Sequence, residues 1–200
     1  MLEIKNVKVY DLKESIIACR NAMRTEMPEY NDDEFAKGLC RAIKLVEANK
    51  KQSGHANFRT GIRVSFDMLY SQYITKQFQR YHWFDYVSSS SLMHKIVSMD
   101  FSKCCNKYVL PESKTIMKNC IDIYNQNPSY ENFMRIISNC PMGVELFVHV
   151  STNYEQLATI YRQRKDHKLK EDWGAFIAFI KELPFAKELI IGEEDDEDAV

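Results

Sequence analysis

The sequence predicts an α+β fold: a small, mostly antiparallel sheet packed with several long helices. Three observations point there. Three short segments alternate polar and apolar residues, several longer ones repeat apolar residues at helical spacing, and no internal repeat or domain boundary divides the 200 residues. That length suits one domain with a core of its own, taken as residues 1–190, followed by an acidic tail over 191–200.

Residues 2–10 read as the first strand, with Leu2/Ile4 and Val7/Val9 alternating across one slip that marks a bulge. Residues 12–23 read as helix, and Asp32 or Asp33 caps the next one, which carries Phe35, Leu39, Ile43 and Leu45. Residues 49–54 form a polar loop. Ile62, Val64 and Phe66 then alternate with Arg63, Ser65 and Asp67 in a second strand. Residues 69–84 read as a helix presenting Tyr70, Tyr73, Ile74, Gln77, Tyr81 and Phe84 on one side, with Gln77 the polar intruder. Four serines, Ser88 to Ser91, follow. Helices are expected over 111–124 and 130–137, separated by the break at Asn127-Pro128. Val144, Leu146, Val148 and Val150 alternate in a third strand. Thr152-Asn153 starts a helix with Leu157, Ile160, Tyr161 and Arg164 along one stripe. Trp173, Phe176, Ile177 and Ile180 mark the final helix. The run from Glu193 to Asp198 reads as a solvated, disordered tail.

Composition narrows the function classes. Hydrophobic residues at 45% and charged residues at 28% are ordinary for a soluble globule, and a net charge of −1 gives no global field for nucleic acid or membrane. No apolar run reaches spanning length, and the N-terminus alternates rather than forming a signal peptide. The six cysteines (Cys19, Cys40, Cys104, Cys105, Cys120, Cys140) have no metal spacing and read as reduced thiols of a cytoplasmic protein. No metal site and no glycine-rich phosphate loop are expected.

Four places carry chemistry. Arg164 closes an apolar stripe, and at about 100° per residue it points almost the same way as Asn153. A buried guanidinium is costly unless an anion or carbonyls meet it, so a ligand is the simplest reason for it. Arg80-Tyr81-His82 followed by the serines forms a plausible phosphate cradle, or a solvated helix end. His55 stands at a loop–strand junction, where a lone histidine is usually structural. Arg162, Arg164, Lys165, His167, Lys168 and Lys170 form a basic cluster that is either a solvated face or an anion patch. Asp166, Glu171 and Asp172 weaken its reading as a nucleic-acid surface.

Taken together, these places resemble the flavin-dependent thymidylate synthases. That family's signature is Arg-His-Arg, seven residues, then Ser; here it reads Arg80-Tyr81-His82, seven residues, then Ser90. His55 stands where the family has a flavin-contacting histidine. Pro141, the strand through Val150, Asn153 and Arg164 follow in the family's frame. The resemblance covers roughly residues 49–183 and is similar to a phage-type or mobile-element branch.

The resemblance implies a cytoplasmic homotetramer with FAD and dUMP at subunit interfaces, and no membrane. It implies reductive methylation of dUMP with methylenetetrahydrofolate and NADPH as co-substrates. It assigns Arg164 to catalysis and His55, Arg80, His82 and Asn153 to the cofactor. It assigns Gln77, Arg80, Ser88, Ser90 and Arg164 to the pyrimidine deoxynucleotide, and no residue to a metal. Departures from the pattern are equally specific. Tyr81 and His82 replace the signature His and second Arg. Ser88 replaces a Glu, and Leu92, Ile137 and Glu155 each replace an Arg. Each lost charge-assisted contact is worth about 1.5–3 kcal/mol. The departures favour a second class, a non-catalytic homologue that keeps the fold for nucleotide binding or regulation. A nucleic-acid binder is the third class, and the net charge argues against it.

Overall fold

The structure is a computed structural model describing residues 2–49 and 54–192. Its centre is a four-stranded antiparallel sheet in the order β1-β2-β4-β3. The strands are β1 (Glu3–Tyr10), β2 (Arg63–Ser71), β3 (Asp85–Ser89) and β4 (Glu145–Asn153). β2 and β4 pair along their full length, from Arg63 opposite Asn153 to Ser71 opposite Glu145. β1 pairs with β2 across an irregularity between Lys5 and Lys8, the slip expected from the sequence, where Asn6 takes a positive φ of 55°.

Eight α-helices surround the sheet among the described residues: α1 (Leu12–Ala18), α2 (Asp32–Ala48), α3 (Thr75–Phe78), α4 (Leu92–Lys95), α5 (Pro111–Gln126), α6 (Tyr130–Asn139), α7 (Tyr154–Arg164) and α8 (Lys170–Lys181). A turn of π-helix over Lys187–Ile191 closes the described chain. The α+β class, the three strands read from alternation, and the helices near 111–124, 130–137, 154–164 and 173–180 are all present.

The inner face of the sheet is apolar because alternate residues of period-two strands share a side. Val64, Phe66, Met68, Val148 and Val150 are all fully buried there. α7 and α8 cover this face, and Phe66 packs its ring against Phe176 and Phe179. A smaller core of Ile96, Phe101, Met117, Ile121, Ile136 and Val144 lies under α5 and α6.

Four expectations need correction. The helix predicted over 69–84 is not there: β2 continues to Ser71, and a short 3-10 turn and α3 follow. Pairing of Leu69, Tyr70 and Ser71 with β4 outweighs their local helical spacing. The serine run opens on the edge strand β3, which pairs with β4 and reads too polar in sequence to be seen as a strand. The first helix stops at Ala18, with a 3-10 turn over Asn21–Met23. Asn31, not Asp32 or Asp33, caps α2, its Oδ1 accepting the Glu34 N–H at 2.9 Å. Residues 50–53 of the polar loop and the acidic run Glu193 to Asp198 lie outside the described residues.

Candidate functional site

The site is built on α7, and the sequence dictates where α7 begins. Asn153 ends β4 in extended conformation, and its Oδ1 accepts the Gln156 N–H at 2.9 Å. That cap satisfies one of the helix's unpaired donors and turns the chain off the sheet. Asn153 is therefore buried, with its oxygen committed to the helix.

Leu157, Ile160 and Tyr161 face the core. Glu155, Thr159 and Gln163, spaced four apart, form a line along another side of the helix. The segment carrying Arg80, Tyr81, His82 and Trp83 crosses beside that line. It is tied down by Trp83 N–H donating to Gln156 Oε1 at 3.1 Å and by Thr152 Oγ donating to the Trp83 carbonyl at 2.7 Å.

Two cavities open along this line. One, of about 360 Å³, is lined by Arg80, Tyr81, His82, Trp83, Gln156 and Arg164. The other, of about 490 Å³, is lined by Asn49, Gly54 and Arg162. Glu155, Thr159 and Gln163 belong to both, so the two form one groove along α7.

Arg164 is half-buried at the end of the α7 stripe. An aromatic cage holds it, not the anion its burial suggested. Its Nε donates to the Tyr81 hydroxyl at 2.8 Å, and its guanidinium lies over Trp173 at 4.9 Å and Tyr81 at 5.8 Å. No carboxylate among the described residues pairs with it. The aromatic faces offset part of the desolvation cost through their quadrupoles and leave the charge unneutralised. Tyr81 in turn donates to Gln163 Oε1 at 3.2 Å. His167 stands edge-on to Trp173, its Nδ1 accepting the Leu169 N–H at 3.1 Å. Burial pulls the His167 pKa down, and the charges of Arg164 and Lys168 add to that.

Glu155, the expected charge reversal, is neutralised within the chain. Buried Arg59 reaches its Oε2 through Nε at 2.7 Å and Nη2 at 2.5 Å, and Arg59 Nη1 donates to the Leu189 carbonyl at 3.2 Å. Burial lowers the Arg59 pKa, and Glu155 opposes that. Glu155 is the one carboxylate among the described residues lining the groove, so the groove's remaining charges are Arg80, Arg162 and Arg164. Such a lining favours an anion.

The expected site residues divide between places. Arg80, His82 and Arg164 share the smaller cavity. Gln77 is one layer behind, accepting the Trp173 indole N–H at 3.0 Å, so it supports the ring under Arg164. His55 is exposed next to Gly54 of the larger cavity and lines neither. Ser88 sits on the solvent side of β3 opposite His149. Ser90 is spent on the sheet edge, where its N–H donates to the Phe147 carbonyl at 2.9 Å and its Oγ accepts the Phe147 N–H at 3.1 Å. Within one protomer neither serine lines the groove. Arg59 and Gln163 escaped the sequence reading, which takes Trp173 only as a residue of the final helix, not as the ring under Arg164. Arg59 lies 96 residues from Glu155, and no local pattern announces such a pair.

By sequence, no family model and no curated protein matches the chain. Its fold matches solved structures. The flavin-dependent thymidylate synthase ThyX of Helicobacter pylori, solved with FAD and dUMP, superposes with a TM-score of 0.65 at 16% identity, covering 95% of this chain and 97% of that one. A second structure of that enzyme with the same ligands gives 0.65 over 96% and 98%. The UMP/dUMP methylase PolB of Streptomyces cacaoi, bound with 5-Br dUMP, gives 0.60 at 11% identity over 93% and 92%. The chain has the fold of the flavin-dependent thymidylate synthases.

Proposed function

We propose that the α7 groove binds nucleotides and that the chain is a divergent flavin-dependent thymidylate synthase-like protein. Its reaction would be the reductive methylation of dUMP or a related pyrimidine nucleotide. The observation that carries this reading is Arg164, charged and caged by Tyr81 and Trp173, at the wall of a cavity shared with Arg80 and His82. The groove's cations, unpaired among the described residues, and the exposed Trp83 ring at its rim suit an anionic, flat heterocyclic ligand such as FAD or dUMP.

In this reading Arg80 and His82 hold phosphate. Arg164, fixed before any ligand arrives, stabilises negative charge developing on the uracil, so that C5 becomes nucleophilic. Bound FAD supplies the redox chemistry, with methylenetetrahydrofolate and NADPH as co-substrates. Ser88 and Ser90 belong to the nucleotide site only if another subunit presents them, as the homotetramer implied by the resemblance allows. Of the two other positions the resemblance gives to the cofactor, Asn153 caps α7 and His55 lines neither cavity, so within one protomer neither belongs to the groove in this reading. The six free thiols accord with a cytoplasmic protein.

A second reading, a non-catalytic nucleotide-binding or regulatory homologue, is favoured by one observation. The carboxylate of Glu155 is locked to Arg59 where the family pattern has an arginine against the flavin. Titration of the purified protein with FAD, followed by release of tritium from C5-labelled dUMP, decides between them. The first reading expects a yellow complex and FAD-dependent release. Binding without release selects the second. A protein that neither takes up FAD nor is stabilised by dUMP overturns both.

A further inference from the structure

Glu155 stands where the two cavities meet, and among the described residues only one of its two carboxylate oxygens has a partner. Oε2 takes both Arg59 donors, at 2.7 and 2.5 Å. Oε1 meets no donor among the described residues, although Glu155 lines both cavities. An unpaired acceptor of this kind inside a cation-lined groove would repel an anion if its charge were free. Here a buried guanidinium matches the charge, so the acceptor remains without the repulsion.

Its neighbours are hydrogen-bonding groups too. Thr159 Oγ donates to the Glu155 carbonyl at 3.2 Å, which leaves its lone pairs open. Gln163 Oε1 is occupied by Tyr81, which leaves its amide N–H groups to donate. Cations flank this polar middle, Arg162 on one side and Arg80 with Arg164 on the other. A fully ionised anion has no proton to give a carboxylate oxygen, whereas a sugar hydroxyl has.

We propose that Glu155 is the specificity-determining residue of the groove. It accepts a hydrogen bond at Oε1 from a hydroxyl of a sugar-phosphate ligand, and Arg59 acts as the positioning residue that holds the carboxylate. The groove therefore selects phosphate esters bearing hydroxyls over simple anions. This rests on the reading of the groove as a nucleotide site.

The test compares two probes, FAD and inorganic sulfate, at matched ionic strength, with wild type, Glu155→Gln and Glu155→Asp. FAD binding is read by flavin fluorescence and sulfate binding by the shift in melting temperature. In Glu155→Gln the Arg59 charge loses its match, so sulfate binding strengthens while FAD binding weakens by about tenfold or more. In Glu155→Asp the charge stays and the reach shortens, so FAD binding weakens and sulfate binding is unchanged. Should Glu155→Gln fail to fold, the Glu155→Asp comparison decides alone. FAD and sulfate affinities that move in parallel, or FAD binding unmoved by the substitutions, overturn the role of Glu155 and leave the groove reading standing. A wild-type protein that binds neither probe overturns both.

Discussion

Arg164 shows how a side chain can be fixed in place by its neighbours and still keep an unpaired charge among the described residues. Its hydrogen bond to Tyr81 and its place over Trp173 fix the guanidinium without neutralising it. Arg164→Ala is expected to lower stability by only about 1–2 kcal/mol, since the site is half-exposed. FAD and dUMP affinity should fall at least about tenfold, read by titration calorimetry. The same substitution removes one of the positive charges that depress His167, so the His167 titration should move upward in an NMR pH series. A second residue-scale prediction concerns Tyr73, which donates to buried Asp172. Burial, then the Asp172 carboxylate, pushes its pKa up to about 12 from 10. Because the folded value is the higher one, the stabilisation is complete below pH 10 and is lost as pH rises through 12. Tyr73→Phe should cost about 1–3 kcal/mol at pH 7, by leaving Asp172 unpaired. It should also flatten the alkaline loss of stability seen in denaturant titrations between pH 9 and 12.

At the scale of elements, two helical glycines separate packing from propensity. Gly38 of α2 is buried against α1, and a Cβ there would lie 2.6 Å from the Ile16 carbonyl oxygen, a backbone atom with no room to give. Ala favours a helix over Gly by about 0.5–1 kcal/mol, while forced overpacking costs about 1–3 kcal/mol. Gly38→Ala should therefore lower the melting temperature. Gly174 of α8 is exposed with nothing within 4 Å of such a Cβ, so Gly174→Ala should raise stability by the propensity term alone, about 0.5–1 kcal/mol. Thermal unfolding of the two variants side by side checks both signs. The same division explains what was legible in the sequence. β2, β4, α7 and α8 were legible because their burial pattern repeats at their own period: Val64, Phe66 and Met68 along a strand, Trp173, Phe176 and Ile180 along a helix. β3 and the end of β2 were not. Tyr70 and Ile74 fit a helical period as well as a strand's, and only cross-strand partners such as Leu146 decide between them. β3 takes its stability from ladder hydrogen bonds to β4, and side-chain patterning does not encode those. Of the residues that share the smaller cavity, Arg164 was legible through helical spacing and Arg80 and His82 through the motif they form, whereas the Arg59–Glu155 pair joins distant segments and depended on the fold.

At the scale of the whole molecule, the expected site is split. Arg80, His82 and Arg164 line the groove on α7, while Ser88 on β3 and Ser90 just past its end do not, with Ser90 fastened to Phe147 on β4. A second copy of the chain that presented these serines across an interface would bring both sets to one ligand. The large side chains left exposed near that edge, Val87 and Phe147, are the kind of surface an interface covers. The expected solution mass is that of an oligomer, measured by light scattering. A mixing experiment then tests whether the serines act across the interface. Arg164→Ala and a Ser88→Trp/Ser90→Trp double variant should each bind dUMP poorly alone. Mixed and reassociated, they should recover binding in a fraction of sites, because a hybrid interface pairs the intact groove of one copy with the intact serines of the other. Recovery is read as dUMP-dependent stabilisation exceeding the sum of the separate variants. A monomeric protein, or mixtures with no gain, would restrict the ligand to the α7 groove of a single protomer, with Arg80, His82, Arg162 and Arg164 as its anion contacts.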